Sequence, residues 1–140
     1  MKKSYLGILT SILFALVVLT IPALAVSDRA SDQISGYYMV ATPLQNGQIA
    51  IDFGVDATGK MTRLGADSIV VYEKEGSRWE TVASWDRYDA GMSSTNKNTY
   101  SNTLFFDGTK SREYKITITI FAQDASGTDY RSDQFLITAK

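Results

Sequence analysis

Five carboxylates, Glu73, Glu75, Glu80, Asp86 and Asp89, crowd one stretch of the chain. Two such groups facing each other across a cleft are what glycoside hydrolysis requires. The same residues also read as the wet flanks of a hairpin. The 140 residues include no histidine and no cysteine, which removes serine–histidine triads, imidazole proton relays and thiolate zinc sites together. The expectation is a protein that is not an enzyme and uses no cofactor, with a carboxylate-based hydrolase as the one catalytic reading left.

Binding chemistry is better represented. Trp79, Trp85 and Tyr88 follow one another closely, and exposed aromatic rings stack on sugars or anchor protein partners. Trp79 and Trp85 are six residues apart, about 20 Å along an extended strand, so they would need an oligosaccharide or a protein surface rather than one sugar ring. The competing reading has Trp79 filling the core and Trp85 covering its end. The stretch from Asp86 to Asn98 shows no strand pattern, and its Arg87, Tyr88, Asp89, Ser93, Asn96, Lys97 and Asn98 offer adaptable hydrogen bonds at a sandwich end. Trp79, Trp85, Arg87, Tyr88, Asn96 and Asn98 are therefore the candidate binding residues. Asp124, Ser126 and Asp129, with Gly127 between them, supply oxygens of the kind calcium takes, but no bidentate glutamate closes the set. They equally suit a short hairpin turn.

Strands must position these residues. Tyr114, Ile116, Ile118, Ile120 and Ala122 share one parity, and Lys115, Thr117 and Thr119 the other, the period of a strand with one dry and one wet face. Ile49, Ile51, Phe53 and Val55 alternate with Ala50, Asp52, Gly54 and Asp56 in the same way. Ile69 to Tyr72 is apolar on both parities, which predicts a strand covered on two faces. Trp79 to Trp85 returns from a turn at Gly76, with Trp79, Thr81, Ala83 and Trp85 on one face. Tyr37 to Val40 stops at Pro43, Thr99 to Phe106 and Asp129 to Thr138 complete the set, and Met61 to Asp67 reads as a connection. About seven strands punctuated at roughly 8–12 residues predict an all-β, two-sheet antiparallel sandwich.

The first residues carry an address. Lys2 and Lys3 precede an apolar run from Tyr5 to Ile21, Pro22 breaks it, and Ala23 and Ala25 supply the small residues of a signal-peptidase site. The division predicted is a signal helix over 1–25, a flexible lead-in over 26–35 and the sandwich over 36–140. The alternative is an uncleaved N-terminal membrane anchor. Lys2 and Lys3 are two of 14 basic residues, so cleavage leaves 12 against 15 acidic ones and takes the net charge from −1 to −3. No basic cluster remains to attract nucleic acid or anionic lipid. The protein is expected to be secreted, with no membrane association after cleavage.

Asp107-Gly108, then Tyr114-x-Ile116-x-Ile118, then Asp124-Ala125-Ser126-Gly127 resembles the F–G hairpin of fibronectin type III and other immunoglobulin-like domains. The resemblance implies a tyrosine corner at Tyr114, whose hydroxyl folds back onto nearby backbone. It also implies aliphatic packing at Ile116 where antibody domains place a cysteine. Ile69 to Tyr72, Gly76 and Trp79 are similar to the C–C′ hairpin of that fold, and Phe53 stands closest to the tryptophan of its strand B. Taken whole, the chain resembles small exported single-domain proteins of unknown function from Gram-positive, Clostridia-type bacteria. Tyr114, Ile116, Ile118, Ile120 and Phe53 are the expected structural residues. The function expected is binding of an extracellular protein at or outside the cell surface. A carbohydrate-binding module and a small secreted toxin or competition factor are the alternatives.

Overall fold

A computed structural model describes residues 33–140. The expected signal helix, the expected cleavage site at Ala23 and Ala25, and most of the expected lead-in lie outside the described residues. The elements in order are β1 (Ile34–Pro43), a 3₁₀ turn (Gln45–Gly47), β2 (Gln48–Glu75), β3 (Arg78–Asp86), β4 (Ser93–Asp107), β5 (Glu113–Gln123) and β6 (Thr128–Thr138). All pairings are antiparallel and belong to one hydrogen-bonded sheet of six strands.

There are six strands where about seven were expected, because β2 is 28 residues long. Its first half pairs with β1 on one side and β4 on the other. Its second half pairs with β5 and β3. Residues 61–67, expected to be a connection, are the part of β2 where partners change. Two register shifts flank it, between Asp56 and Met61 and between Ala66 and Ser68, and such bulges bend and twist a strand. Gly65 sits between them at φ +144°, where a Cβ would stand 2.3 Å from the carbonyl oxygen of Met92. That oxygen accepts the N–H of Ala66 at 2.7 Å, so the bend is pinned by a hydrogen bond that only glycine leaves room for.

The bend lets both halves of β2 face one core. Ile49, Ile51, Phe53 and Val55 from its first half meet Ile69 and Val71 from its second, with Ile116, Ile118 and Ile120 of β5 beside them. Each fully buried side chain of this kind contributes roughly 1.5–3 kcal/mol. Ile69 and Val71 are fully buried while Val70 and Tyr72 are only half-buried, so this stretch alternates and is not covered equally on its two faces.

Tyr114 enters β5 almost fully buried. Its hydroxyl accepts the N–H of Thr109 at 2.7 Å and donates to Glu73 at 2.9 Å, the backward fold that the resemblance implies. At the other end of the hairpin, Gln33 and Ile34 are buried, although the lead-in was expected to run to residue 35. The N–H of Gln33 donates to Asp129 at 2.8 Å, and its carbonyl accepts the N–H of Thr58 at 2.9 Å.

Candidate functional site

The side of the sheet turned away from the core carries the candidate site, and β3, the second half of β2, β5 and β6 build it. Pairing places Tyr72 beside Lys115, and Lys115 beside Leu136. One rung away, Trp79 stands beside Lys74. The Lys115 ammonium lies 4.5 Å from the centroid of the Tyr72 ring and 5.1 Å from that of Trp79, close enough for the ring quadrupoles to hold it. Lys74 is 6.0 Å from the Trp79 centroid and pairs with Glu113 at 2.7 Å. Leu136 is 68% exposed. A shallow hollow of about 150 Å³ opens between Trp79 and Leu136 over Lys74, Glu113 and Thr138.

Trp79 reaches this face through an irregularity in β3. Val71 pairs with Ala83, yet Tyr72 pairs with Thr81, so Val82 is an extra residue in the ladder. Beyond it the parity reverses. Ala83 and Trp85 pack against the core, whereas Trp79 faces out beside Tyr72 and Lys74. The expectation that Trp79 and Trp85 share one face therefore fails, as does its alternative with Trp79 inside.

The opposite end of the same face is closed. Phe121 is fully buried although its parity turns it away from the core. Arg87 reaches in from the loop after β3, with its guanidinium carbon 4.1 Å from the Phe121 centroid. Arg87 donates to Asp67 through Nε at 2.7 Å and through Nη2, and to the Tyr130 hydroxyl at 3.1 Å. Partial burial disfavours the Arg87 charge, but the hydrogen bonds to Tyr130 and Asp67 and the Asp67 charge outweigh it and raise its pKa. Arg87 is thus a clamp within the fold rather than a free binding group.

The remaining candidates disperse. Tyr88 is 76% exposed, with Arg63 stacked 5.1 Å from its ring, at the closed end and away from Trp79. Asn96 and Asn98 are exposed on β4, which begins at Ser93, so the expected loop is only its first half. That half is tied down: Asp86 and Asp89 accept the N–H groups of Tyr88 and Asp86 at 2.8 Å each. Glu73 and Glu75 pair with Arg112 at 3.3 and 3.7 Å. Four of the five crowded carboxylates are thereby engaged within the fold.

The calcium candidates are engaged at the turn between β5 and β6. Asp124 Oδ1 accepts the Ser126 hydroxyl at 2.6 Å, the Ser126 and Gly127 N–H groups at 2.8 and 3.1 Å, and the Gln33 amide at 3.3 Å. The Ser126 hydroxyl and backbone bonds lead in lowering the Asp124 pKa below its usual value. No group of three or more acidic, histidine or cysteine ligands gathers among the described residues.

Sequence reasoning passed over Tyr72, Lys74, Lys115 and Leu136. Their signal was present for Lys115, which occupies the wet parity of β5. The Val82 bulge that brings Trp79 to the same face left none. No protein-family model and no curated protein matches the chain.

Proposed function

We propose that the chain is a non-catalytic, exported binding module that engages a protein partner at or outside the cell surface. Its fold is read as an immunoglobulin-like sandwich. β1, the first half of β2 and β4 form one layer; β3, the second half of β2, β5 and β6 form the other, and the bent β2 passes between them. The Tyr114–Thr109 hydrogen bond and the single core shared by the two halves of β2 support that reading.

The observation that carries the function is the open end of the outer face, where Trp79, Tyr72 and Leu136 flank a lysine that no carboxylate neutralises among the described residues. Tryptophan and tyrosine are among the residues that carry most of the binding energy at protein interfaces. A photo-crosslinking residue at Leu136, with a second at exposed Phe105 as control, tests it on the exported protein. Adducts with a protein at position 136, lost in Trp79→Ala, support the reading. Adducts at 105 alone, or selective binding to neutral glycans in an array, refute it. Intact mass of the exported protein checks the address, with loss of residues 1–25 expected.

A further inference from the structure

Resting on that reading, we infer that the open end recognises an acidic side chain flanked by apolar ones on an extended segment of the partner, with Lys115 as the recognising cation. Three observations lead there.

The first is charge. Lys74 has Glu113, Arg87 has Asp67, and Arg112 has Glu73 and Glu75. Among the described residues Lys115, like Arg63 over Tyr88, lies over rings and has no carboxylate partner. Lys115 is the one of the two held between two rings, those of Tyr72 and Trp79. A cation held by rings is restrained without being neutralised, so it remains available to a carboxylate arriving from outside.

The second is the surroundings. Leu136 is directly across the ladder from Lys115, and Trp79 lies on the other side with its ring centroid 5.1 Å from the ammonium. Apolar flanks lower the local dielectric and strengthen a charged hydrogen bond formed between them. The hollow between Trp79 and Leu136 has room for a flanking aliphatic side chain.

The third is shape. The rungs beyond Lys115, Val70–Thr117–Gln134 and then Ser68–Thr119–Ser132, carry no aromatic ring, which leaves room along the face for an extended segment. A uronate-bearing glycan would share the carboxylate but calls for stacking on the ring faces. Lys115 and Lys74 already lie over the Trp79 ring, and Lys115 also over that of Tyr72, which favours a peptide.

The test is an NMR titration of the exported protein with three probes: acetyl-Leu-Glu-Leu-Asp-Leu-amide, its Gln/Asn counterpart, and tetragalacturonate. The acidic peptide is expected to shift the Trp79 indole and Leu136 methyl signals and to bind about tenfold more tightly than the amide peptide, the effect of one charged hydrogen bond. Lys115→Gln should remove that difference and Lys115→Arg should keep it. Equal affinity for the two peptides, with shifts at Trp79 and Leu136, overturns the acidic specificity but leaves the binding face standing. Tetragalacturonate shifting these signals while the peptides do not overturns both it and the protein-partner reading. No shift with any probe at millimolar concentration overturns the acidic specificity, while crosslinking at 136 independently decides the fate of the face.

Discussion

Two cation–aromatic clusters occupy opposite ends of the same sheet face, and they differ in what the cation has left over. At one end the Arg87 guanidinium covers Phe121, donates to Asp67 and Tyr130, and keeps only 18% of its side-chain surface in water. At the other, the Lys115 ammonium lies over Tyr72 and Trp79 with no carboxylate among the described residues. The planar fork of arginine serves several acceptors while stacking on a ring, whereas lysine is a point charge on a flexible stem. The closed cluster fastens the β3–β4 loop to the sheet. The open one leaves a charge facing outward. Similar ingredients thus give a structural lock in one place and an unneutralised, outward-facing charge in the other.

The comparison breaks most visibly at Phe121. Replacing it by alanine should cost about 3–5 kcal/mol, since a fully buried ring is lost and Arg87 and Tyr130 close poorly over the space. Urea denaturation would register this as a lower midpoint at unchanged slope. Trp79→Ala at the open end should cost under about 1 kcal/mol in the same assay, because half-buried surface residues away from such features move stability little. Equal losses at the two positions would mean that both ends are structural.

Tyr114 tests the base beneath the open end. Tyr114→Phe leaves the Thr109 N–H and a Glu73 oxygen without their partner and should cost about 1–3 kcal/mol. Thermal unfolding checks it, and an unchanged midpoint would contradict the corner. Because Glu73 also pairs with Arg112 at 3.3 Å, the variant is expected to loosen the turn before β5 while leaving the Arg87 cluster intact. Amide exchange across the two ends would show that separation.

Which parts of this architecture could be read from residue types follows from where the alternation is unbroken. β5 alternates from Tyr114 to Ala122, and both its core face and the Tyr114 hydroxyl bond could be anticipated. β2 hides its continuity because the register shifts after Asp56 and after Ala66 interrupt the period, so one strand looked like two and a connection. β4 from Ser93 to Asn98 is polar on both parities, since neither face there packs on the core, and a strand wet on both sides resembles a loop. Trp79 was misplaced because one inserted residue, Val82, reverses every side chain before it. Arg87 and Asp124 looked available because composition cannot reveal that a polar group is already bonded inside the fold.

Asp124 offers a pH handle on the closed end alone. Its folded pKa lies below the usual value, chiefly through the Ser126 hydroxyl and backbone bonds. A carboxylate lowered in this way stabilises the fold fully above its unfolded value near 3.8, and the contribution is lost as pH falls through the folded one. The melting temperature of Asp124→Asn should therefore trail the parent at pH 5 and approach it as the pH is lowered below 3.8. A gap that stays constant on acidification would detach the loop from the Gln33 anchor. No carboxylate contacts Lys115 among the described residues, so Lys115→Gln should keep a constant offset over the same range.

That last substitution is also the smallest expected effect. Lys115→Gln removes two ring contacts at 4.5 and 5.1 Å, each contributing on the order of 0.5–1 kcal/mol at an exposed site before the lysine recovers hydration and rotamer freedom. The net loss should be below about 0.5 kcal/mol. Arg87→Gln, the same change in charge, strands Asp67 at 27% side-chain exposure and should cost about 2 kcal/mol, less than the loss of a partner in a fully buried pair. Measuring both in urea, with and without about 0.5 M salt, separates screening from packing. A Lys115 effect as large as that of Arg87 would mean that the open cluster holds the fold together, and the outward-facing charge would lose its claim to a partner.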